Sequence, residues 1–101
     1  MRVLVCGGRD FGDTEFVYRV LDRLKACEQV DCIIEGDARG VDRIAGYWAK
    51  KNRIDLRLFP ADWDTHGKRA GPIRNKQMLD EGKPDLVIAF PGGRGTANMI
   101  D

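Results

Sequence analysis

Apolar and polar positions along this chain follow two alternating rhythms. Four short apolar runs, "VLVCG" (3–7), "DCIIEG" (31–36), "IDLRLFP" (54–60) and "DLVIAFP" (85–91), are strand-length, rich in β-branched or aromatic residues, and closed by Gly or Pro. Between them the spacing becomes helical. Phe16, Val17, Val20, Leu21 and Leu24 share one face of a helix that Asp13 or Thr14 can cap. Ile44, Ala45, Trp48 and Ala49 make a similar stripe in a second helix ending near Asn52. A third spans Pro72 to Glu81, with Ile73, Gln77, Met78 and Leu79, and Gly82 stops it. Another helix begins after Thr96. This βαβαβαβ order predicts an α/β fold, a Rossmann-like three-layer α/β/α sandwich on a parallel sheet, as one domain over residues 1–101.

The four runs differ in a way that orders them. In the third, Ile54, Leu56 and Leu58 alternate with Asp55 and Arg57, so that strand has one wet face and belongs at an edge. The first and last are apolar on both faces, which places them centrally. The simplest order is 3-2-1-4. A fully apolar fourth strand should not be left bare. Either a fifth strand beyond Asp101 or a second subunit is expected to cover it, so the chain is read as truncated before a fifth strand and as a homodimer.

Composition narrows the class. A third of the 101 residues are charged, yet the net charge is only +1. This makes nucleic acid an improbable partner, since its binders carry a basic surplus. No apolar run is long enough to span a bilayer, and the N-terminus lacks the apolar stretch and small-residue cleavage site of a secretory signal. A cytoplasmic protein with no membrane partner is expected. Cys6, Cys27 and Cys32 are odd in number and lack paired metal spacing, so they read as reduced thiols. The single histidine, His66, has no neighbours at metal-ligand spacing; neither a metal nor a cofactor is implied.

The glycines show where the chemistry lies. In a parallel sheet with right-handed crossovers, every strand's carboxyl end lies on one edge. The segments leaving those ends are "GGRDFGD" (7–13), "GDARGVD" (36–42), "PADWDTHGKRAG" (60–71) and "PGGRGT" (91–96), and they hold most of the glycines. Ligands of open α/β sheets sit at that edge, where the strand order reverses. The crevice would be flanked by Gly7, Gly8 and Arg9 on one side and by Pro91, Gly92, Gly93, Gly95 and Thr96 on the other. "PGGRGT" joins a strand to a helix N-terminus, where unpaired amides and the helix dipole favour an anion. Gly36, Asp37, Arg39 and Gly40 repeat that layout at the second helix. Phosphate is the natural guest. Neither loop ends in the Gly-Lys-Ser/Thr of a Walker A motif, and "GGRDFG" lacks the GxGxxG spacing.

"PGGRGT" after an apolar strand, with "GPIRNKQM" on the preceding helix, resembles the SLOG superfamily of Rossmann-like proteins, which includes the LOG-type phosphoribohydrolases, the DprA/Smf proteins and the YpsA-like proteins. "GGRD", "GDARGVD", "ADW" and "FPGGRGTANM" in this order are most similar to the small YspA-like, YpsA-related branch, often filed as a domain of unknown function. The resemblance implies a site for a nucleotide or a nucleotide-derived ligand, a nucleoside phosphate or a relative of ADP-ribose. In LOG enzymes an Arg on the helix before the PGG loop and a Glu after it help cleave an N-glycosidic bond. The Arg matches Arg74; the Lys beside it in LOG is Asn75 here, and the Glu position is Met99. Methionine can neither stabilise positive charge at an anomeric carbon nor activate water.

Two functions therefore compete, with a third behind them. The first is a binding module that holds its nucleotide without turnover. The second is an N-glycosidase in which Arg74 works with Asp37, Asp42 or Asp10 in place of the missing Glu. The third, DprA-like binding of single-stranded nucleic acid, suits the near-neutral charge least. Capping of the second helix is the ordinary role for one of Asp37 and Asp42. Glu35, at the same rim, needs a partner if buried, with Arg39 or Arg43 the candidates.

Overall fold

The computed structural model describes residues 1–92. Four strands, β1 (Arg2–Cys6), β2 (Cys32–Glu35), β3 (Asp55–Leu58) and β4 (Leu86–Ala89), pair in parallel in the order β3-β2-β1-β4, as the strand patterns predict. The helices are α1 (Thr14–Cys27), α2 (Val41–Lys51), a short α3 (Trp63–His66) and α4 (Ala70–Asp80), with a 3-10 turn at Gly67–Arg69 between the last two. Among the described residues no helix is long and apolar enough to cross a membrane.

Period-two alternation on β1 and β2 sends side chains to both faces of the sheet. Val3, Val5 and Ile33 meet Val17 and Leu21 of α1 and Ala45, Trp48 and Ala49 of α2 in one core. Leu4, Cys6, Cys32 and Ile34 form a second core on the other face with Phe59 and Met78 of α4. Asp13 caps α1, accepting from the Phe16 amide at 3.1 Å. Trp48 is fully buried, and its indole Nε1 donates to Asp22 Oδ1 at 2.8 Å, which ties α2 to α1 without leaving a polar atom unpaired.

Two elements differ from the sequence expectation. In β4, Leu86 and Ile88 pack onto the first core, whereas Val87 and Ala89 are exposed. The strand is apolar on both faces, and among the described residues it pairs with β1 alone. Helix α4 starts two residues before Pro72, and its buried side carries Ala70, Gly71, Arg74, Asn75 and Met78, while Ile73 and Leu79 are exposed. An i, i+4, i+8 ridge decides which side faces the sheet, and here that ridge delivers an arginine and an asparagine to the interior.

Candidate functional site

The loops that leave β1, β2 and β4 are knitted together at the carboxyl edge. The Gly8 amide donates to the Pro91 carbonyl at 2.8 Å, and the Gly8 carbonyl accepts from Phe11 at 3.3 Å and Val41 at 3.4 Å. A Cβ on Gly8 would lie 2.9 Å from the Pro91 oxygen, so only glycine lets the first and last loops touch. Gly40 sits beneath them at φ +81°, where a Cβ would come within 2.3 Å of the Gly8 oxygen. Much of the glycine content at this rim therefore serves loop-to-loop contact. Phe90, with Phe16 edge-on at 5.8 Å and Phe11 at 5.9 Å, closes the loop after β1 over the end of β4.

Above this floor lie two adjoining cavities. The larger, about 790 Å³, is bordered by Gly7, Gly8, Arg9, Asp42, Arg74, Asn75, Pro91 and Gly92 among others. The smaller, about 430 Å³, is bordered by Arg9, Gly36, Asp37, Arg39 and Arg74, joined by Arg43, Pro60 and Trp63. The structure thus brings most of the sequence-predicted residues to one cleft, with Gly40 in the floor. Gly93, Gly95 and Thr96, and with them Arg94 and Met99, lie outside the described residues. Sequence reasoning did not single out Ala38, Gly71 or Pro72 as cavity walls; nothing in their residue types marks them. Trp63, from α3, is half-exposed, and the Arg9 guanidinium lies 5.2 Å from its ring centroid. His66 is exposed and borders neither cavity.

Buried charge distinguishes the cleft. Arg74 is 8% exposed; its Nη1 donates to the Gly36 carbonyl at 2.7 Å and its Nε to Asn75 Oδ1 at 3.0 Å. Asp42, 5% exposed, accepts from the Ala38 amide at 3.3 Å. Burial raises its pKa, opposed by the Ala38 hydrogen bond and by the positive charge of Arg74. Desolvation lowers that of Arg74, with Asp42 acting against it. Each therefore acts on the other as a nearby opposite charge in a desolvated part of the cleft, while their hydrogen bonds go to the main chain and to Asn75.

Neither aspartate caps α2. Gly40 occupies the N-cap position without a side-chain hydrogen bond; Asp42 instead reaches back to the preceding loop. Asp37, at φ +55°, faces Arg43 with 3.8 Å between Oδ1 and Nε. Glu35 is 1% exposed and satisfied by the Asp37 amide at 2.8 Å, while Arg39 turns to Asp10 at 3.1 Å. Neither candidate partner, Arg39 or Arg43, pairs with Glu35 directly: a main-chain donor takes that place, and Arg43 acts on Glu35 only as a nearby charge.

Burial raises the Glu35 pKa from 4.5 to about 8, with the Asp37 hydrogen bond pulling it down and the charges of Asp42 and Asp37 pushing it up. Between those two values the folded chain holds a proton that the unfolded chain has released. Stability accordingly falls as pH rises through that window. At roughly 1.4 kcal/mol for each unit of difference, the loss is on the order of a few kcal/mol. Thermal melts of the parent should drop between pH 5 and pH 9, whereas Glu35→Gln should flatten most of that slope. A variant with the parent's full pH dependence would assign the titration to another group. Cys6, bordering the larger cavity, is pushed up to about 11 by burial and by Asp42, with Arg74 opposing. It stays a thiol at neutral pH, not a thiolate nucleophile.

A parallel α/β sheet in the order 3-2-1-4, with a polar cleft where the order reverses, defines a small Rossmann-like protein, and folds of this kind take ligands at the strands' carboxyl edge. The chain belongs to the YAcAr family, described as the YspA, cpYpsA-related SLOG family, whose model matches residues 1–66. It is also 39% identical over 99 residues to the Gene 61 protein of Mycobacterium phage D29, an alignment covering 92% of this chain and 78% of that protein. No solved structure matches it. The family fold is one associated with nucleotide-related, small-molecule ligands.

Proposed function

We propose that this protein binds a nucleotide or nucleotide-derived molecule in the cleft between the loops after β1 and β4 and holds it without cleaving it. The observation that carries the reading is Arg74: an almost fully buried arginine, fixed by the Gly36 carbonyl and bordering both cavities. A desolvated guanidinium at a cleft floor is suited to an anionic guest, since charge-assisted hydrogen bonds to phosphate gain strength away from water. Main-chain amides of the "PGGRGT" segment are proposed to complete the phosphate cradle, with Trp63 supplying an aromatic face at the mouth.

One observation favours a second reading. Asp42 is a buried carboxyl beside Arg74 on the wall of the larger cavity, with its pKa raised by burial. It is the best-placed acid to replace the carboxylate absent at Met99, and Asp37 borders the other cavity. In that case the protein is an N-glycosidase of nucleoside monophosphates. Calorimetric titration with nucleoside monophosphates, followed by chromatography of the incubated mixture, separates the two. Binding with the nucleotide recovered intact supports the module; free base that disappears in Asp42→Asn supports the enzyme. No heat and no base with any nucleotide ends both.

We further propose a homodimer, supported among the described residues by the one-sided pairing of β4 and the exposure of Val87. Sedimentation at micromolar concentration should give twice the monomer mass. A monomer at high micromolar concentration counts against it.

A further inference from the structure

The smaller cavity has a charge that a mononucleotide does not require. Its border includes four guanidinium groups, from Arg9, Arg39, Arg43 and Arg74, against one carboxylate, that of Asp37. They converge from the loop after β1 (Arg9), from the loop after β2 (Arg39), from the first turn of α2 (Arg43) and from α4 (Arg74), so separate segments of the chain build a cleft rather than a stray basic patch on one helix. The larger cavity, about 790 Å³, by itself falls within the roughly 300–1,000 Å³ that encloses a small-molecule ligand. The two chambers share Arg9, Ala38, Trp63 and Arg74. Among the shared residues, the Arg9 guanidinium lies over the Trp63 ring, 5.2 Å from its centroid.

Two arginines of the smaller chamber, Arg39 and Arg43, are held loosely. Arg39 pairs with Asp10 at 3.1 Å, with the two side chains 67% and 92% exposed; Arg43 faces Asp37 at 3.8 Å, with 53% and 43%. Exposed pairs of this kind contribute about 0–1 kcal/mol, so a phosphate displaces the carboxylates at little cost. It gains planar, two-pronged hydrogen bonds from each guanidinium in return. We infer that the ligand carries more than one phosphate, in a nucleoside diphosphate or a pyrophosphate-bridged nucleotide. Its inner phosphate sits in the larger chamber near Arg74 and its outer phosphate lies between Arg39 and Arg43. This rests on the nucleotide reading above and narrows it to a substrate class.

The test compares AMP, ADP and ADP-ribose by calorimetry at physiological salt. The parent should bind ADP and ADP-ribose at least tenfold more tightly than AMP. In Arg39→Gln/Arg43→Gln that ratio should fall to within twofold. Removing two positive charges elsewhere, as Arg19→Gln/Arg23→Gln on α1, should leave the ratio at the parent's value, which distinguishes a phosphate grip from a general loss of charge. Equal affinity of the parent for AMP and ADP overturns this inference alone, as does a double variant whose ratio is unchanged or a control that lowers it equally. No binding of any of the three removes the nucleotide reading as well.

Discussion

Arg74→Met should lower the unfolding free energy by about 2–4 kcal/mol, the cost of leaving buried hydrogen-bond acceptors unsatisfied together with the loss of a nearby opposite charge. The methionine fills a similar volume, so the loss is electrostatic rather than a cavity effect. It strands the Gly36 carbonyl, which accepts from Nη1 at 2.7 Å, and it removes a positive charge near the buried Asp42 carboxyl. The cost should shrink in acid, because a protonated Asp42 has no charge to strand. Arg74→Lys should recover only part of the loss. An ammonium restores the charge but cannot donate to Gly36 and Asn75 at once through a rigid fork. Urea unfolding at pH 7 and pH 4.5 measures all three quantities. A loss below about 1 kcal/mol at pH 7 would mean that Arg74 is held by solvent and not by the floor of the cleft.

Gly40→Ala is expected to be comparably severe, at roughly 3–5 kcal/mol. Two costs combine. At φ +81° and ψ −133° the backbone is in a region that only glycine visits freely, which costs of order 1–3 kcal/mol for another residue. The new methyl would also sit 2.3 Å from the Gly8 oxygen and 2.6 Å from the Arg9 oxygen, forcing the loops after β1 and β2 apart. Since a domain of this kind is stable by only about 5–15 kcal/mol, much of the reserve is lost and ligand binding should go with it. Gly12→Ala is the matched control: a Cβ there meets nothing within 4 Å and its φ is not positive, so the change should stay within about 0.5 kcal/mol. Chemical denaturation of both variants provides the comparison. If Gly40→Ala unfolds with the Gly12→Ala midpoint, the loops are not packed as described.

The two variants act on features of different legibility. Gly40 is conspicuous in "GDARGVD", and glycine at that rim is visible from sequence. That its hydrogen side faces the Gly8 and Arg9 carbonyls is not, because the contact joins loops from different strands. Arg74 is recognisable through the motif it occupies, yet its partner Gly36 lies 38 residues away in the chain. Helix α4 misleads a purely local reading: Ile73 and Leu79 look like core residues and are exposed, while Arg74 and Asn75 are buried. The apolar rule works one way only, since the surface of any folded chain retains much apolar area. For Arg74 the decisive acceptor comes from another segment of the chain, and that supply is not encoded locally.

By itself the sequence determined the strand order, the cap on α1, the stripe on α2 and the edge of the sheet where the cleft lies. Each follows from a period of two or of 3.6 residues, or from the fixed handedness of crossovers, and so from neighbours within a few positions. Only the tertiary structure decided that Arg74 donates to the Gly36 carbonyl, that its charge lies near Asp42, that Arg39 turns to Asp10, and that Arg9 lies on Trp63. Charge pairing depends on distances and on water excluded between segments remote in the chain, quantities that exist only once the sheet has brought those segments together.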